Sequence, residues 1–197
     1  MEPKTILVMY SGGLDSLGTV YKLLTDPQYK NYRLHLHHIH IKNVENRDRA
    51  ENVAVRNTLK ELERLGFSFM YSESGIDSPM YNNQFMFDID SINFFAGYIC
   101  SLNPDIELIA LGMNADDSQD AVEEKRKRAD AILAAFTSVK KIYPVLHMSK
   151  LEIFDTIPET LRTMFWSCRT PIYTEDMIKY CGQCQTCSEL RNIGILK

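Results

Sequence analysis

Ser11-Gly12-Gly13-Leu14-Asp15-Ser16 is the stretch around which the rest of the chain can be read. It follows the largely apolar run Thr5-Ile6-Leu7-Val8-Met9. It opens a segment in which Leu14, Leu17, Val20, Tyr21 and Leu24 recur at helical spacing. A buried strand, a glycine turn and a helix start together make an anion site. Two glycines let the backbone come close to a ligand, and successive amides face it with the positive end of the helix dipole. Ser11 and Ser16 add hydroxyl donors, and Asp15 adds a carboxylate suited to Mg²⁺. No GxxxxGK[ST] string occurs anywhere, so this is not a Walker A loop. The expectation is phosphate binding at the end of a first strand.

Outward from that loop, elements alternate. Asp26-Pro27 closes the first helix, and Arg33 to Ile41 reads as a second strand carrying His35, His37, His38 and His40. No carboxylate or cysteine interrupts those histidines, so they read as partly buried strand residues and not as metal ligands. Asp48 to Leu65 is an amphipathic helix with Val55, Leu59, Leu62 and Leu65 on one stripe, ended by Gly66. Phe67 to Tyr71 is expected as a third strand, Ser72 to Asn83 as a loop, and Phe85 to Leu102 as a helix whose aromatic residues pack in the core. Cys100 reads as a buried residue of that helix.

Ile106 to Gly112 is the expected fourth strand, leading into the polar loop Met113 to Gln119. Ligands of an open parallel sheet gather beyond the carboxyl ends of its strands, so this acidic loop and the serine-glycine loop can face one site. Glu123 to Arg128 reads as a solvated helix face with its acids leading its bases. Lys140 to Leu146 is a short fifth strand interrupted by Pro144, which suits a sheet edge or a strand end. Ser149 and Glu152 form a capping box that sets Lys150 in a first helical turn, where a cation opposes the dipole and an anionic ligand would account for it. The β-α alternation predicts an α/β fold: an open, mainly parallel sheet with helices on both faces.

The chain of 197 residues is 45% apolar and 24% charged, ordinary values for a soluble globule, and suits one α/β domain with a small appendage. The expected division is residues 1–160 for the nucleotide-binding domain and 161–197 for the appendage. No apolar run reaches membrane-spanning length and Met1-Glu2-Pro3-Lys4 lacks a signal-peptide pattern, so the expected address is the cytoplasm. A net charge of −4 argues against a broad nucleic-acid surface. Of five cysteines, four crowd the last thirty residues: Cys168, then Cys181, Cys184 and Cys187 in Cys-Gly-Gln-Cys-Gln-Thr-Cys. Four thiolates with Cys-x-x-Cys spacing saturate one tetrahedral Zn²⁺ and leave no open position, which implies a structural ion.

The string Ser11–Ser16 resembles the SGGxDS signature of the PP-loop ATP pyrophosphatases, whose fold is of the adenine-nucleotide α-hydrolase kind. Members cleave ATP between the α- and β-phosphates and adenylylate an oxygen of their substrate. With the tail Ser167-Cys168-Arg169…Cys181-Gly182-Gln183-Cys184-Gln185-Thr186-Cys187, the chain resembles the 7-cyano-7-deazaguanine synthase family over nearly its whole length. Arg49-Ala50-Glu51, Leu111 to Asp117 and Ser149-Lys150 agree with that family. Two stretches depart from it: Ser118-Gln119-Asp120-Ala121-Val122 and Tyr81-Asn82-Asn83-Gln84.

That resemblance implies synthesis of 7-cyano-7-deazaguanine from 7-carboxy-7-deazaguanine, or a related carboxylate, and ammonia, through adenylylated carboxylate and amide. It implies ATP, Mg²⁺ and Zn²⁺ as cofactors and a homodimer as assembly. It assigns phosphate contacts to Ser11, Gly12, Gly13, Leu14, Asp15, Ser16 and Lys150, and catalysis to Asp15, Ser16, Lys150 and Asp117. A PP-loop ligase acting on another carboxylate, and a tRNA-thiolating PP-loop enzyme, are the alternatives. The latter class needs a sulfur-carrying cysteine or an iron–sulfur cluster.

Overall fold

A computed structural model describes residues 3–77, 88–117 and 123–196. Five strands form one all-parallel sheet in the order β3-β2-β1-β4-β5: β1 (Thr5–Met9), β2 (Arg33–Lys42), β3 (Met70–Asp77), β4 (Ile106–Ala110) and β5 (Lys140–Ile142). Helices α1 (Leu14–Thr25), α2 (Asp48–Arg64), α3 (Asp88–Leu102), α4 (Glu123–Ala134) and α5 (Lys150–Thr156) alternate with them. The tail adds a two-stranded ribbon, β6 (Ile172–Tyr173) with β7 (Ile178–Lys179), and helix α6 (Gln185–Asn192).

Every residue of β1 is buried, as a central parallel strand covered on both faces requires. Its alternation feeds two cores. Ile6, Val8 and Tyr10 pack with Leu17 and Val20 of α1, Val55 and Leu62 of α2, and Ile153 of α5. Leu7 and Met9 face the other way, onto Ala96 and Cys100 of α3 and Leu133 of α4. Helices therefore cover both faces of the sheet, α1, α2 and α5 on one and α3 and α4 on the other. Helix α1 meets α5 closely: a Cβ added to Gly18 would stand 2.3 Å from Ile153 Cγ2, so only glycine permits this crossing.

Several boundaries differ from expectation. The third strand runs from Met70 to Asp77, not from Phe67 to Tyr71, and so takes in Ser72–Asp77, expected as loop. Its polar sequence is held by pairing with β2 and by side chains. His35 Nε2 and His37 Nδ1 both meet Ser72 Oγ, at 2.6 and 2.7 Å, and His37 Nε2 meets Ser74 Oγ at 2.9 Å. The strand serines thus satisfy the strand histidines, and burial drives the His37 pKa down to about 4, keeping the ring neutral. The fourth and fifth strands stop at Ala110 and Ile142, short of Gly112 and Leu146. β5 lies at the sheet edge, where the residues before Pro144 end their pairing. On α2, Val55, Leu59 and Leu62 are buried while Leu65 stands outside the stripe, exposed beyond the last turn. Arg49-Ala50-Glu51 lies inside the first turns of that helix. Phe85, Phe87, Tyr81-Asn82-Asn83-Gln84 and Ser118-Gln119-Asp120-Ala121-Val122 lie outside the described residues. Phe95 packs near His37, and Phe94 meets Phe136 edge-on and is partly exposed. Among the described residues no helix is long and apolar enough to cross a membrane.

Candidate active site

In this strand order the chain leaves β1 for β2 on one side and returns to β4 on the other, so the crevice beyond β1 and β4 is the topological switch point where such sheets bind ligands. A cavity of about 560 Å³ opens there. Ser11, Gly13, Leu14, Asp15, Ser16, Asp117 and Lys150 all line it. Gly12 does not. Its φ of +79° makes the turn, and a Cβ there would stand 2.8 Å from Val55 Cγ2, so Gly12 lets the loop lie against α2.

The loop amides are lightly engaged. Gly13 N reaches Ser11 Oγ at 3.3 Å, a long contact that a phosphate oxygen can displace, and Leu14 N reaches Ser167 Oγ of the tail at 3.4 Å. Ser11 Oγ and Ser16 Oγ are 3.0 Å apart at the mouth of α1. Gly112 brings the end of β4 onto the same loop: a Cβ on it would stand 2.7 Å from Ser16 N. Backbone, hydroxyls and the first turn of α1 form a cradle for an anion.

Asp15 sits at the centre of this charge. Burial pushes its pKa up to about 6, Lys150 pulls it down, and Asp117 pushes it up again. Asn114 also lowers it, while Asp15 Oδ1 and Asn114 Nδ2 lie buried without a hydrogen-bond partner of good geometry among the described residues. An orphaned carboxylate oxygen beside Asp117, with the loop amides adjacent, is a hard-oxygen donor set that fits Mg²⁺.

Lys150 arrives at the start of α5, the helix packed against α1 on the same face of the sheet. Ser149 caps α5, accepting from Glu152 N at 3.3 Å while Glu152 Oε2 accepts from Ser149 N at 2.7 Å. The Lys150 amide donates to Asp116 Oδ2 at 2.8 Å, and its Nζ contacts Glu189 Oε2 at 2.5 Å. Burial works to lower the Lys150 pKa, but Glu189, Asp15 and Asp117 outweigh it and hold the ammonium charged. The cation that seemed misplaced in a first helical turn is matched by three carboxylates and faces the phosphate cradle.

The other end of the cavity was not read as a unit from sequence. Arg47 and Glu51 from the start of α2, Asp88 from the start of α3 and Arg169 from the tail line it, with Trp166 beside them. Arg47 pairs with Asp88, with Glu51 Oε1 at 3.3 Å and with Glu45 Oε2 at 2.9 Å. Arg169 Nη2 meets Glu45 Oε1 at 2.6 Å. Glu51 is 7% exposed, and burial raises its pKa to about 7 against the pull of Arg47. Glu51 and Arg169 stand inside Arg49-Ala50-Glu51 and Ser167-Cys168-Arg169, a signal present in the chain; Arg47 and Asp88 had none.

Cys168, Cys181, Cys184 and Cys187 come together as the spacing predicts, their sulfurs all within 4.8 Å of one another. Gln183 N and Cys184 N point at Cys181 Sγ from 3.4 and 3.3 Å, the amide pattern that stabilises a ligating thiolate. Tetrahedral coordination at zinc–sulfur bond lengths sets neighbouring sulfurs about 3.8 Å apart, and Cys181 and Cys187 sulfurs lie 3.8 Å apart. A four-iron cubane binds each thiolate to a different iron, which spreads the sulfurs wider than one shared ion does. The group fits a single metal ion. Cys100 is remote from it, buried in α3 with its thiol pKa pushed up to about 11.

No protein-family model matches the chain, and no curated protein matches it. Among solved structures it is similar to the U34-tRNA thiolase NcsA from Methanococcus maripaludis with its [4Fe-4S] cluster, at TM-score 0.54 and 20% identity. That match covers 98% of this chain and 66% of the thiolase chain. The likeness establishes a shared α/β fold across nearly all of this protein.

Proposed function

We propose that this protein is an ATP pyrophosphatase that adenylylates an acceptor carboxylate and passes it to a nitrogen nucleophile. One observation carries the reading: the glycine loop, the orphaned Asp15 oxygen and Lys150 meet in one cavity at the β1/β4 switch point. In it the loop amides, Ser11, Ser16 and Lys150 hold the phosphates, and Asp15 with Asp117 holds Mg²⁺, whose charge would neutralise the departing pyrophosphate.

An acceptor carboxylate oxygen attacks the α-phosphorus, the bond to the bridging oxygen breaks, and pyrophosphate leaves with that electron pair. Ammonia then attacks the acyl carbon and AMP departs. Glu51, a buried carboxyl with a pKa near 7 on the cavity wall, takes the proton the nitrogen loses. For 7-carboxy-7-deazaguanine a second round activates the amide oxygen, and loss of AMP with the remaining two N–H protons leaves the nitrile. Zn²⁺ is the ion we assign to the four thiolates.

Thiolation of tRNA is the second reading, favoured by the fold shared with NcsA. Two observations weigh against it. The four clustered sulfurs are too close for a cubane, and the fifth cysteine is a buried thiol outside the cavity. The deciding assay follows purified protein, Mg²⁺-ATP, ammonium and 7-carboxy-7-deazaguanine by mass spectrometry. AMP and pyrophosphate appearing with amide or nitrile supports the proposal. AMP formed only with another acid retains the chemistry and discards this substrate. Iron and labile sulfide in the tail, with sulfur delivered to RNA, would install the second reading.

A further inference from the structure

The four-cysteine module touches the phosphate site at both of its ends. Directly before the first thiol, Trp166 N donates to Gly12 O at 2.9 Å and Ser167 Oγ accepts from Leu14 N at 3.4 Å. Two residues after the last thiol, Glu189 takes Lys150 Nζ at 2.5 Å, and Gln185 Nε2 holds its other carboxylate oxygen at 2.8 Å. Cys184 caps α6, Cys187 lies within it, and Gln185 and Glu189 sit one turn apart on it. Arg191 of the same helix donates to Gly182 O at 3.2 Å, closing the knuckle back onto α6. One short segment and one short helix, joined at the sulfurs, thus bracket the loop and the lysine.

Leu190 of α6 and Phe165 are buried in the core and Arg169 pairs with Glu45, but the chain that links the two halves of the bracket is held less tightly. β6 and β7 have two residues each, and the intervening chain is largely exposed. Four thiolates repel one another until an ion draws them together, so ion binding orders the joint between the Ser167 segment and α6. Resting on the nucleotide reading of the cavity, we propose that Ser167 and Glu189 are positioning residues through which the occupied four-thiolate site sets the phosphate loop and Lys150, so that ion and nucleotide bind cooperatively. Coupling of this kind is reciprocal: nucleotide must hold the ion as strongly as the ion favours nucleotide, by a factor typically about 5–150.

The test uses full-length protein loaded with Zn²⁺ and measures transfer of zinc to a chromogenic chelator, with and without a non-hydrolysable ATP analogue and Mg²⁺. Calorimetry of the same samples reports analogue binding directly. In the wild-type protein, saturating analogue should slow or weaken zinc transfer at least 5-fold. In Glu189→Gln and in the Ser167→Ala/Glu189→Gln double variant, checked for bound zinc and unchanged melting, that protection should fall below 2-fold. A merely structural Glu189 would tolerate glutamine, which keeps the shape and loses only the charge. Analogue that binds wild-type protein while leaving zinc transfer unchanged overturns the coupling. Equal protection in wild type and double variant overturns the assignment of these residues. Failure of the analogue to bind at all, from folded zinc-loaded protein, overturns the nucleotide reading itself and the coupling with it.

Discussion

At one end of the cavity the ligand-facing groups come from a single run of six residues and one lysine. At the other they come from Arg47, Glu51, Asp88 and Arg169, spread over most of the chain. The first end works through backbone amides and a helix terminus, which any chain can present if glycine lets it turn. The second works through side chains that have neutralised one another: two guanidiniums against Glu45, Glu51 and Asp88. A cradle made of backbone demands a fixed local sequence, whereas a wall made of side chains demands only that the fold bring charges together.

That contrast can be broken most directly at the phosphate end. Lys150→Ala and Asp15→Asn should each lower AMP formation by about 10²–10³-fold, with melting close to wild type, the first by removing a cation that stabilises the departing pyrophosphate and the second by removing a Mg²⁺ ligand. Glu51→Gln should act on the second step alone. ATP–pyrophosphate exchange should survive, while amide formation with ammonia falls about 10²-fold, the usual size of a general-base contribution. Hydroxylamine, a nucleophile that needs less help losing its proton, should restore turnover of this variant. Exchange lost along with amide formation would show that the two ends are not separable.

The pH dependence sharpens the same division. Burial raises Asp15 to about 6 in the metal-free protein, so Mg²⁺ binding, read at subsaturating Mg²⁺, should weaken below about pH 6 and not near pH 4. The stability effect has the opposite sign to that of a salt-bridged acid. With Glu51 raised to about 7, the folded state holds a proton that the unfolded state has released between the ordinary carboxyl pKa and about 7. This contribution is full below that window and is lost as pH rises through it. Melting of Glu51→Gln should therefore gain on wild type between pH 5 and pH 8. The smallest effect belongs to the sheet edge. Ser74→Ala removes one partner of His37 Nε2 and should lower unfolding free energy by about 1 kcal/mol in a denaturant titration.

Sequence placed Ser11–Ser16 on a turn at a helix start and Lys150 behind the Ser149 capping box, because these obey short-range rules of turns, caps and dipoles, and the structure brings them to one cavity. The cysteine cluster was legible for a similar reason, as its spacing brings three of its four thiols together within seven residues. The extent of β3 was not. Ser72-Glu73-Ser74-Gly75 has the composition of a loop, and only pairing with β2 and the histidine–serine contacts make it a strand. Arg47 and Asp88 escaped notice because a charged residue at a helix start ordinarily faces water. Their meaning appears only when α2 and α3 begin side by side.

The contact between Gly18 and Ile153 has a consequence beyond packing. Because α1 begins at the glycine loop and α5 begins at Lys150, fastening the two helices fixes the gap between phosphate cradle and ammonium as a dimension of the scaffold. On the nucleotide reading proposed above, a fixed gap would serve as a caliper for the span of phosphates held across it. On that same reading, a methyl added at Gly18 would force Ile153 and its helix away and stretch that gap.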